Sequence, residues 1–288
     1  MVAYPVYGLK NFRCDSVADS FYVNTFQKHL ETHRFVEEPH RHNTHLLLFF
    51  TQGSGTHEID FDVYKIKPGS LFVLQPGQLH HWDLSADIDG FVLIYPSELY
   101  SLHFEQKRLT DFAFYASAYA KPEIILDPEE VNELKPYFDL LLNETQRNDS
   151  FRDDKMCDLL DCIHIELARK YSGSEAHEIH PYNSKINQFE TLIEQHFRTQ
   201  KLPSFYAEKL HITLKHLNRI CNEILQKTAT EVIAERVILE IKRLLADKQL
   251  SINAVADALG FEDYSYFSRF FKKQAEMTPT DFRKKSGR

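Results

Sequence analysis

The amino-acid sequence predicts an α+β protein in which a β-rich N-terminal part and an all-helical C-terminal part form separate domains. The length of 288 residues fits two domains of roughly 100–200 residues each. Between residues 20 and 95, short apolar stretches alternate with Pro-Gly turns, a pattern typical of a β-sandwich or barrel. From residue 185 onward the apolar spacing is helical, and a pattern of roughly fifty residues occurs twice.

Four apolar segments mark the predicted strands. They are rich in Leu, Phe, Val and Ile, and glycine or Pro-Gly turns separate them. They span residues 45–51, 59–64, 71–74 and 91–95. Short, regularly spaced strands of this kind predict a barrel or sandwich over the first part of the chain.

Beyond residue 98 the spacing predicts a pair of helices. Asp127 is a suitable N-cap, and Pro128 fits the first helical position. The predicted apolar positions are Leu134, Phe138 and Leu141 in one helix and Met156, Leu159, Ile163 and Leu167 in the other. Such a pair either forms a dimer interface or covers the β domain. The polar stretch 173–184 predicts a linker between domains at 1–172 and 185–288.

Charge is distributed unevenly along the chain. Residues 1–180 hold 16 basic and 29 acidic side chains, a net charge of −13, whereas 181–288 hold 18 and 13, a net charge of +5. A basic C-terminal domain provides the attraction to phosphate on which nucleic-acid binding depends. A charge of +5 is also ordinary for a globular surface, so the charge alone leaves both interpretations open.

The four cysteines, Cys14, Cys157, Cys162 and Cys221, lack the spacing of a metal site. Lys10, Arg13 and Asp15 interrupt any candidate signal segment, and no apolar run approaches the roughly 18 residues of a membrane span. We therefore expect a reduced, soluble, cytoplasmic protein without a membrane partner.

The C-terminal repeat predicts two helix-turn-helix units. Ala207 and Leu210 precede a capped helix that begins after Thr213, and Ala256 and Leu259 precede one that begins after Asp263. Gly260 suits the left-handed conformation that ends a helix. Small alanines allow the close, angled packing of a helix-turn-helix motif.

The second helix of each unit has an apolar face and a polar face. Leu214, Leu217, Cys221 and Ile224 are predicted to point inward in the first, and Phe267, Phe270 and Phe271 in the second. Arginine can read guanine and asparagine can read adenine through paired hydrogen bonds. A polar helix face is ordinarily just solvated, but two such faces, each after a helix and a tight turn, favour DNA binding.

A third helix is predicted between the two units. Thr228 and Glu231 form a capping box that opens this helix. Its predicted apolar stripe is Ile233, Val237, Ile241 and Leu244. Eighteen residues at ~1.5 Å each make a rod of about 27 Å. A connector of that length can place two helices about one DNA turn, roughly 34 Å, apart.

The segments 251–261, 264–273, 278–279 and 282–283 closely resemble the second helix-turn-helix unit of AraC-type transcription regulators, and the match covers about the last hundred residues. Gln226 and Glu276 depart from the pattern, since the family usually has glycine there. The resemblance implies that the DNA-binding residues are Lys215, Asn218, Arg219, Tyr264, Ser265, Tyr266, Ser268 and Arg269, with Lys272 on phosphates.

The N-terminal half resembles the cupin-like barrel found ahead of such domains, on the strength of residues 39–42, 53–55, 67–69 and 76–80. His40, His42 and His80 occupy positions that bind metal in enzymatic cupins, but the glutamate and asparagine of that pattern are missing. We expect no metal and no cofactor, and take His42, His80 and Trp82 as candidate effector-binding residues.

The resemblance implies a promoter-binding regulator that senses a small molecule, forms a homodimer and contacts RNA polymerase. Two alternatives stay open. The chain could be a metal-dependent cupin enzyme, or a regulator whose barrel serves dimerisation or partner binding without an effector.

Overall fold

The computed structural model describes residues 4–12, 21–104, 107–116, 120–147, 150–174, 183–246 and 250–286. The chain divides into two compact units, Tyr4–Ala176 and His177–Arg288, the N-terminal and C-terminal units. Most of the predicted linker at 173–184 lies outside the described residues. Residues 173–174 end one helix, and 183–184 begin the next.

The N-terminal unit contains two five-stranded sheets. The strands are Val6–Tyr7 (β1), Tyr22–Thr25 (β2), His40–His42 (β3), His45–Gln52 (β4), Gly55–Ile59 (β5), Asp62–Ile66 (β6), Ser70–Leu74 (β7), Leu79–Leu84 (β8), Asp89–Tyr95 (β9) and Glu123–Ile125 (β10). The front sheet has the order β1-β3-β8-β5-β6, and the middle sheet has the order β10-β7-β4-β9-β2. All described pairings are antiparallel except that of β1 with β3.

The α+β class is confirmed, but the closed barrel is not formed. Among the described strands, none pairs the front sheet with the middle sheet. The middle sheet instead buries both of its faces, so it lies between two layers rather than curving round to close on itself. Leu46, Leu48 and Phe50 of β4 face the front sheet, while Leu47 and Phe49 face the opposite side. Burial on both faces explains why residues 46–50 are continuously apolar rather than alternating.

The predicted strand at 59–64 is wrong, because the chain turns back within it. Ile59 ends β5, Asp62 begins β6, and these two residues are register partners. Asp60 adopts a left-handed φ of 55° in the turn. Its backbone N–H donates to Leu79 O at 2.6 Å, and its carboxylate accepts from Leu79 N at 3.2 Å. A contact with a distant strand thus fixes a hairpin within an alternating sequence.

Helices cover the outer face of the middle sheet. Phe26–Thr32 (α1) lies on the other side, because its Phe26 and Leu30 belong to the core that faces the front sheet. The helices on the outer face are Ser97–His103 (α2), Ala113–Ala116 (α3), Pro128–Glu144 (α4) and Arg152–Ser174 (α5). The Asp127 carboxylate accepts from Glu129 N and Glu130 N, which confirms the predicted N-cap of α4. Leu134 and Phe138 of α4 and Ile163 of α5 belong to the core that this sheet face forms. The apolar face of the helical pair therefore covers the sheet.

The C-terminal unit consists of helices around one central rod. They are Asn183–His196 (α6), Pro203–Lys209 (α7), Leu214–Leu225 (α8), Ala229–Ala246 (α9), Ile252–Ala258 (α10), Tyr264–Ala275 (α11) and Pro279–Ser286 (α12). The rod, α9, packs against each of the other six. Ile233, Val237 and Ile241 of α9 are buried as predicted. Leu244, the fourth residue of the predicted stripe, is only partly buried, whereas its neighbour Leu245 is fully buried. Among the described residues, no helix combines the length and the apolar character that crossing a membrane requires.

Candidate nucleic-acid interface and histidine cluster

The turns of the two helix-turn-helix units have the same hydrogen bonds. In the first, Ile212 N donates to Ala207 O at 3.0 Å and His211 N donates to Glu208 O at 3.0 Å. In the second, Phe261 N donates to Ala256 O and Gly260 N to Asp257 O, both also at 3.0 Å. Paired bonds of this kind define the Schellman motif that ends a helix.

Each Schellman turn needs one residue in the left-handed region. Gly260 supplies it in the second unit with a φ of 65°, and a Cβ there would approach Arg198 O to 2.8 Å. Both the backbone angle and the space therefore favour glycine at Gly260. In the first unit His211 adopts a φ of 54°, although its Cβ makes this conformation less favourable than it is for glycine. The sequence offers no glycine there, so this matching turn position was missed.

Both recognition helices, α8 and α11, are capped as predicted. Thr213 accepts from His216 N at 3.1 Å. Asp263 accepts from Ser265 N at 2.7 Å and from Tyr266 N at 3.0 Å. Because these caps satisfy N–H groups that have no partner within the helix, they fix where each recognition helix begins.

The apolar faces of the recognition helices match the prediction in part. Leu217 and Cys221 of α8 and Phe267 and Phe271 of α11 are buried. Leu214, predicted to point inward, is 39% exposed, and the predicted inward residues Ile224 and Phe270 are only partly buried. Ile220, which was not predicted to point inward, is fully buried. Leu214 is the first residue of α8.

Most of the predicted DNA-binding residues lie on the exposed faces of α8 and α11. The exposed ones are Lys215, Arg219, Tyr264, Ser265, Tyr266, Arg269 and Lys272, while Asn218 and Ser268 are partly buried. The exposed set combines arginine and lysine with hydroxyl groups, and no acidic residue stands among them. These groups can donate to phosphate oxygens and to the acceptor atoms of base edges.

Arg219 Nε lies 3.8 Å from Glu223 of its own helix, and two of the predicted residues bind other helices. Asn218 Oδ1 accepts from Ala229 N, the first residue of α9, at 3.0 Å. The Tyr264 hydroxyl donates to Asp257 Oδ1 at 2.9 Å. Each bond connects a recognition helix to another helix of the C-terminal unit, so these side chains help to position the exposed surface.

The two residues that depart from the family pattern lie at the C-terminal ends of the recognition helices. Gln226 and Glu276 are the C-caps of α8 and α11, with φ values of 53° and 58°. Both therefore adopt the left-handed conformation that glycine would adopt without steric cost. The helix ends keep their geometry despite the substituted side chains.

The three candidate effector residues lie together in the N-terminal unit, on the front sheet. His42 belongs to β3, His80 and Trp82 belong to β8, and all three are buried. His40, which the sequence groups with His42 and His80 by its cupin position, is the register partner of His80. His40, His42 and His80 form a cluster whose ligand nitrogens all lie within 4.8 Å of one another.

Burial keeps the histidines of this cluster uncharged. Desolvation lowers the pKa of His40 to about 4, and an interaction with nearby His81 also lowers it. For His42 and His80, desolvation followed by repulsion from neighbouring histidines moves each pKa well below its usual value. The three rings are therefore neutral at physiological pH, which is the form that binds metal ions.

A fourth histidine supports the cluster from behind. His57 Nε2 lies 3.0 Å from His80 Nδ1, and desolvation lowers the pKa of His57 to about 3. His57 lies in β5, a strand that the sequence did not predict. No motif in the sequence indicated that this side chain would approach His80.

Comparison with known proteins agrees with both parts of the chain. A family model described as a helix-turn-helix domain matches residues 206–285, and one described as an AraC-like ligand binding domain matches residues 21–182. The HTH-type transcriptional activator RhaR of Yersinia pestis bv. Antiqua (strain Angola) is 22% identical over 271 residues, covering 94% of this chain and 89% of that protein. RhaR of Enterobacter sp. (strain 638) is 21% identical, covering 94% and 92%.

Among solved structures, ToxT from Vibrio cholerae O395 aligns with 92% of this chain and 97% of its own, at 14% identity and a TM-score of 0.45. The AraC-like ligand binding model alone matches more than half of the chain, and the helix-turn-helix model matches most of the remainder. The chain belongs to the AraC family of DNA-binding transcription regulators.

Proposed function

We propose that this protein activates transcription by inserting α8 and α11 into successive major grooves of promoter DNA. The main observation behind the proposal is that the same local structure occurs at both recognition helices. Each recognition helix follows a Schellman turn, begins at a side-chain cap and exposes a polar face containing an arginine, Arg219 or Arg269. Activation in particular follows the RhaR relatives, which are named transcriptional activators.

The exposed side chains suggest a division of roles. We assign base contacts to Lys215 and Arg219 in α8 and to Ser265, Tyr266, Ser268 and Arg269 in α11. Lys272, in the last turn of α11, is assigned to a phosphate. Asn218 and Tyr264 also lie on these helices, but each uses a polar atom inside the protein. We therefore assign these two residues mainly to positioning the helices.

The N-terminal unit is proposed to sense a small molecule rather than to catalyse a reaction. His42, His80 and Trp82 are buried between the two sheets, and Trp82 Nε1 has no hydrogen-bond partner among the described residues. A buried polar atom without a partner is costly, and a bound molecule would satisfy it. Homodimerisation and contact with RNA polymerase, which the family resemblance implies, belong to the same proposal.

The test selects binding sites for the full-length protein from a randomised DNA duplex library. We expect a motif with two contacted segments about 10 base pairs apart, one for each recognition helix. Arg219→Ala should relax the preference in one segment and Arg269→Ala in the other, each at a cost of about 1–3 kcal/mol in binding.

Arg169→Ala is the matched control, because Arg169 is exposed but lies on α5 of the N-terminal unit. It should leave the selected motif unchanged. Weak, strongly salt-sensitive binding that ignores sequence would contradict the proposal, since phosphate contacts alone produce that behaviour.

A further inference from the structure

Three histidines of the front sheet converge because of strand register. His40 and His42 are two residues apart in β3, so their side chains lie on the same face of the sheet. His80 stands opposite His40 on the neighbouring strand β8. The three rings are packed together, with centroids 4.8 Å apart for His40 and His42, 4.3 Å for His40 and His80, and 5.1 Å for His42 and His80.

Hydrogen bonds at the back of two rings determine which nitrogens point into the cluster. His40 Nδ1 lies 2.7 Å from the carbonyl oxygen of Glu38, which can only accept, so Nδ1 carries the proton. The lone pair of neutral His40 is consequently on Nε2. His80 Nδ1 lies 3.0 Å from His57 Nε2, and in the tautomer in which His57 Nε2 accepts this bond, the lone pair of His80 is on Nε2.

The nitrogens that point into the cluster have nothing to bind within the described chain. His40 Nε2, His80 Nε2 and both ring nitrogens of His42 are buried without a hydrogen-bond partner among the described residues. Native proteins leave few buried polar atoms in this condition, because each costs about 1–3 kcal/mol. Three neighbouring histidines that each hold such an atom, with one nitrogen from each within 4.8 Å of the others, indicate that the cluster binds something absent from the chain itself.

We propose that His40, His42 and His80 bind a divalent transition-metal ion from the late first row, such as Zn²⁺ or Ni²⁺. Neutral imidazole is a preferred ligand of these ions. A backbone carbonyl bound to Nδ1, as in His40, is the usual support of a histidine that binds metal through Nε2. The sequence argued against a metal because the cupin glutamate and asparagine are missing, but the three convergent histidines form a ligand set without them.

The geometry requires a small closure of the site. Metal–nitrogen bonds of about 2.0–2.1 Å keep any two ligand nitrogens within roughly 4.2 Å of each other. The three ligand nitrogens now lie up to 4.8 Å apart, so the rings must rotate modestly when the ion binds. Three protein ligands also leave a coordination position open, at which a polar small molecule can bind the ion. That the ion takes part in regulation rests on the proposed function, whereas its binding does not.

The experiment measures metal on the untagged full-length protein. After dialysis against Zn²⁺ and removal of excess ion, elemental analysis should find one Zn²⁺ per chain. Substitution with Co²⁺ should produce the absorption bands of a nitrogen-ligated ion. Zn²⁺ should also raise the Tm followed by fluorescence of Trp82, the sole tryptophan, which lies beside the cluster.

His42→Leu is the main variant, because it removes two unpartnered buried nitrogens and breaks no described hydrogen bond. It should fold with an unchanged or higher Tm and lose Zn²⁺ affinity by at least 100-fold. His57→Phe, which removes the support of His80, should weaken Zn²⁺ binding about 10–100-fold.

His81→Ala is the matched control, since His81 adjoins His80 on β8 but is partly exposed and faces Glu58. It should retain one Zn²⁺ per chain. The proposal would be overturned if the wild-type protein holds no Zn²⁺ after dialysis, or if His42→Leu binds Zn²⁺ as tightly as the wild type. DNA binding is measured separately on the same samples, so failure of the metal site and failure of the proposed function are distinguishable.

Discussion

The side chain of Asn218 in α8 accepts a hydrogen bond from the backbone N–H of Ala229, the first residue of α9, at 3.0 Å. The first N–H groups of a helix have no partner within that helix, so Asn218 satisfies one of them from outside. The bond ties the first recognition helix directly to the central rod. It also gives a structural role to a residue whose type and position suggest adenine recognition.

Asn218→Ala should destabilise the C-terminal unit by about 1 kcal/mol, because Ala229 N loses its acceptor. Asn218→Asp, which keeps an acceptor oxygen, should be close to wild type. Urea unfolding followed by far-UV circular dichroism measures the change. If Asn218 mainly positions α8, the selected DNA motif stays the same in Asn218→Ala. Relaxed specificity at one base pair without a loss of stability would contradict this assignment.

Gln226→Gly and Glu276→Gly should each stabilise the protein by about 0.5–1 kcal/mol. Both residues hold φ angles near 55°, which cost a side-chain-bearing residue about 1–2 kcal/mol relative to glycine. Part of this gain is lost to the greater freedom of glycine in the unfolded chain. Glu223→Gly, inside α8, is the control and should destabilise by about 1 kcal/mol. Destabilisation by both C-cap variants would show that the side chains make unrecognised contacts.

Glu240→Ala should destabilise the C-terminal unit by about 3 kcal/mol or more. The carboxylate of this buried residue lies 3.3 Å from Arg236 and 3.7 Å from Arg243, both also buried, and its removal leaves their charges less well compensated. The control is Glu235→Ala, whose ion pair with Lys227 is partly exposed and should contribute less than about 1 kcal/mol. Equal effects of the two variants in urea unfolding would rule out a special role for the buried network.

The stability of the N-terminal unit should fall below about pH 6.5, in part through His164. Burial, and to a lesser degree His45, keeps the pKa of His164 well below its usual 6.5. Below pH 6.5 the His164 side chain is therefore protonated in the unfolded chain but stays neutral in the folded chain. For this reason the free energy of unfolding falls by about 1.4 kcal/mol for each unit by which the pH decreases. Above pH 6.5 both states are neutral, and this contribution is independent of pH.

His164→Phe isolates the contribution of this one histidine. The difference in unfolding free energy between wild type and variant should be constant above pH 7 and shift by about 1.4 kcal/mol per unit below pH 6, in favour of the variant. Trp82 fluorescence follows the unfolding of this unit. Tyr95→Phe removes the 2.9 Å hydrogen bond to His164 but keeps the titrating imidazole. The difference in unfolding free energy between wild type and Tyr95→Phe should therefore vary less with pH than the difference for His164→Phe. A difference that does not vary with pH would contradict the assignment.

Lys272→Ala should weaken DNA binding by a similar factor for every sequence. It should also reduce the slope of log K against log salt concentration by about 0.9, the value expected for one lost phosphate contact. Lys65→Ala, on strand β6 of the N-terminal unit, is the control and should leave the slope unchanged. A loss confined to one sequence would instead assign Lys272 to a base.

The sequence predicted the C-terminal unit well because its signals are local. The caps Thr213 and Asp263, the box of Thr228 and Glu231, and the glycine at Gly260 act within four residues of their own positions. Leu214 was misplaced because its exposure depends on which helices lie nearby, and periodicity does not contain that information.

The N-terminal unit was harder to predict because its signals are long-range. The hairpin at Asp60 is fixed by Leu79, and the double burial of β4 depends on helices about ninety residues further along the chain. The DNA-binding roles remain predictions that rest on the family resemblance. The exposure of these side chains, by contrast, is decided by the fold.

By itself the sequence determined the α+β class and the tandem helix-turn-helix units, because helix caps, turn residues and apolar spacing act locally. The family followed from the resemblance of residues 251–283 to a known pattern. Only the tertiary structure decided that the sheets stay open and that His57 supports His80 from a separate strand. It also decided that His40, His42 and His80 present unpartnered nitrogens to one point. Strand register and ring orientation arise from pairings between distant segments, and a one-residue shift of register would send these rings to opposite faces.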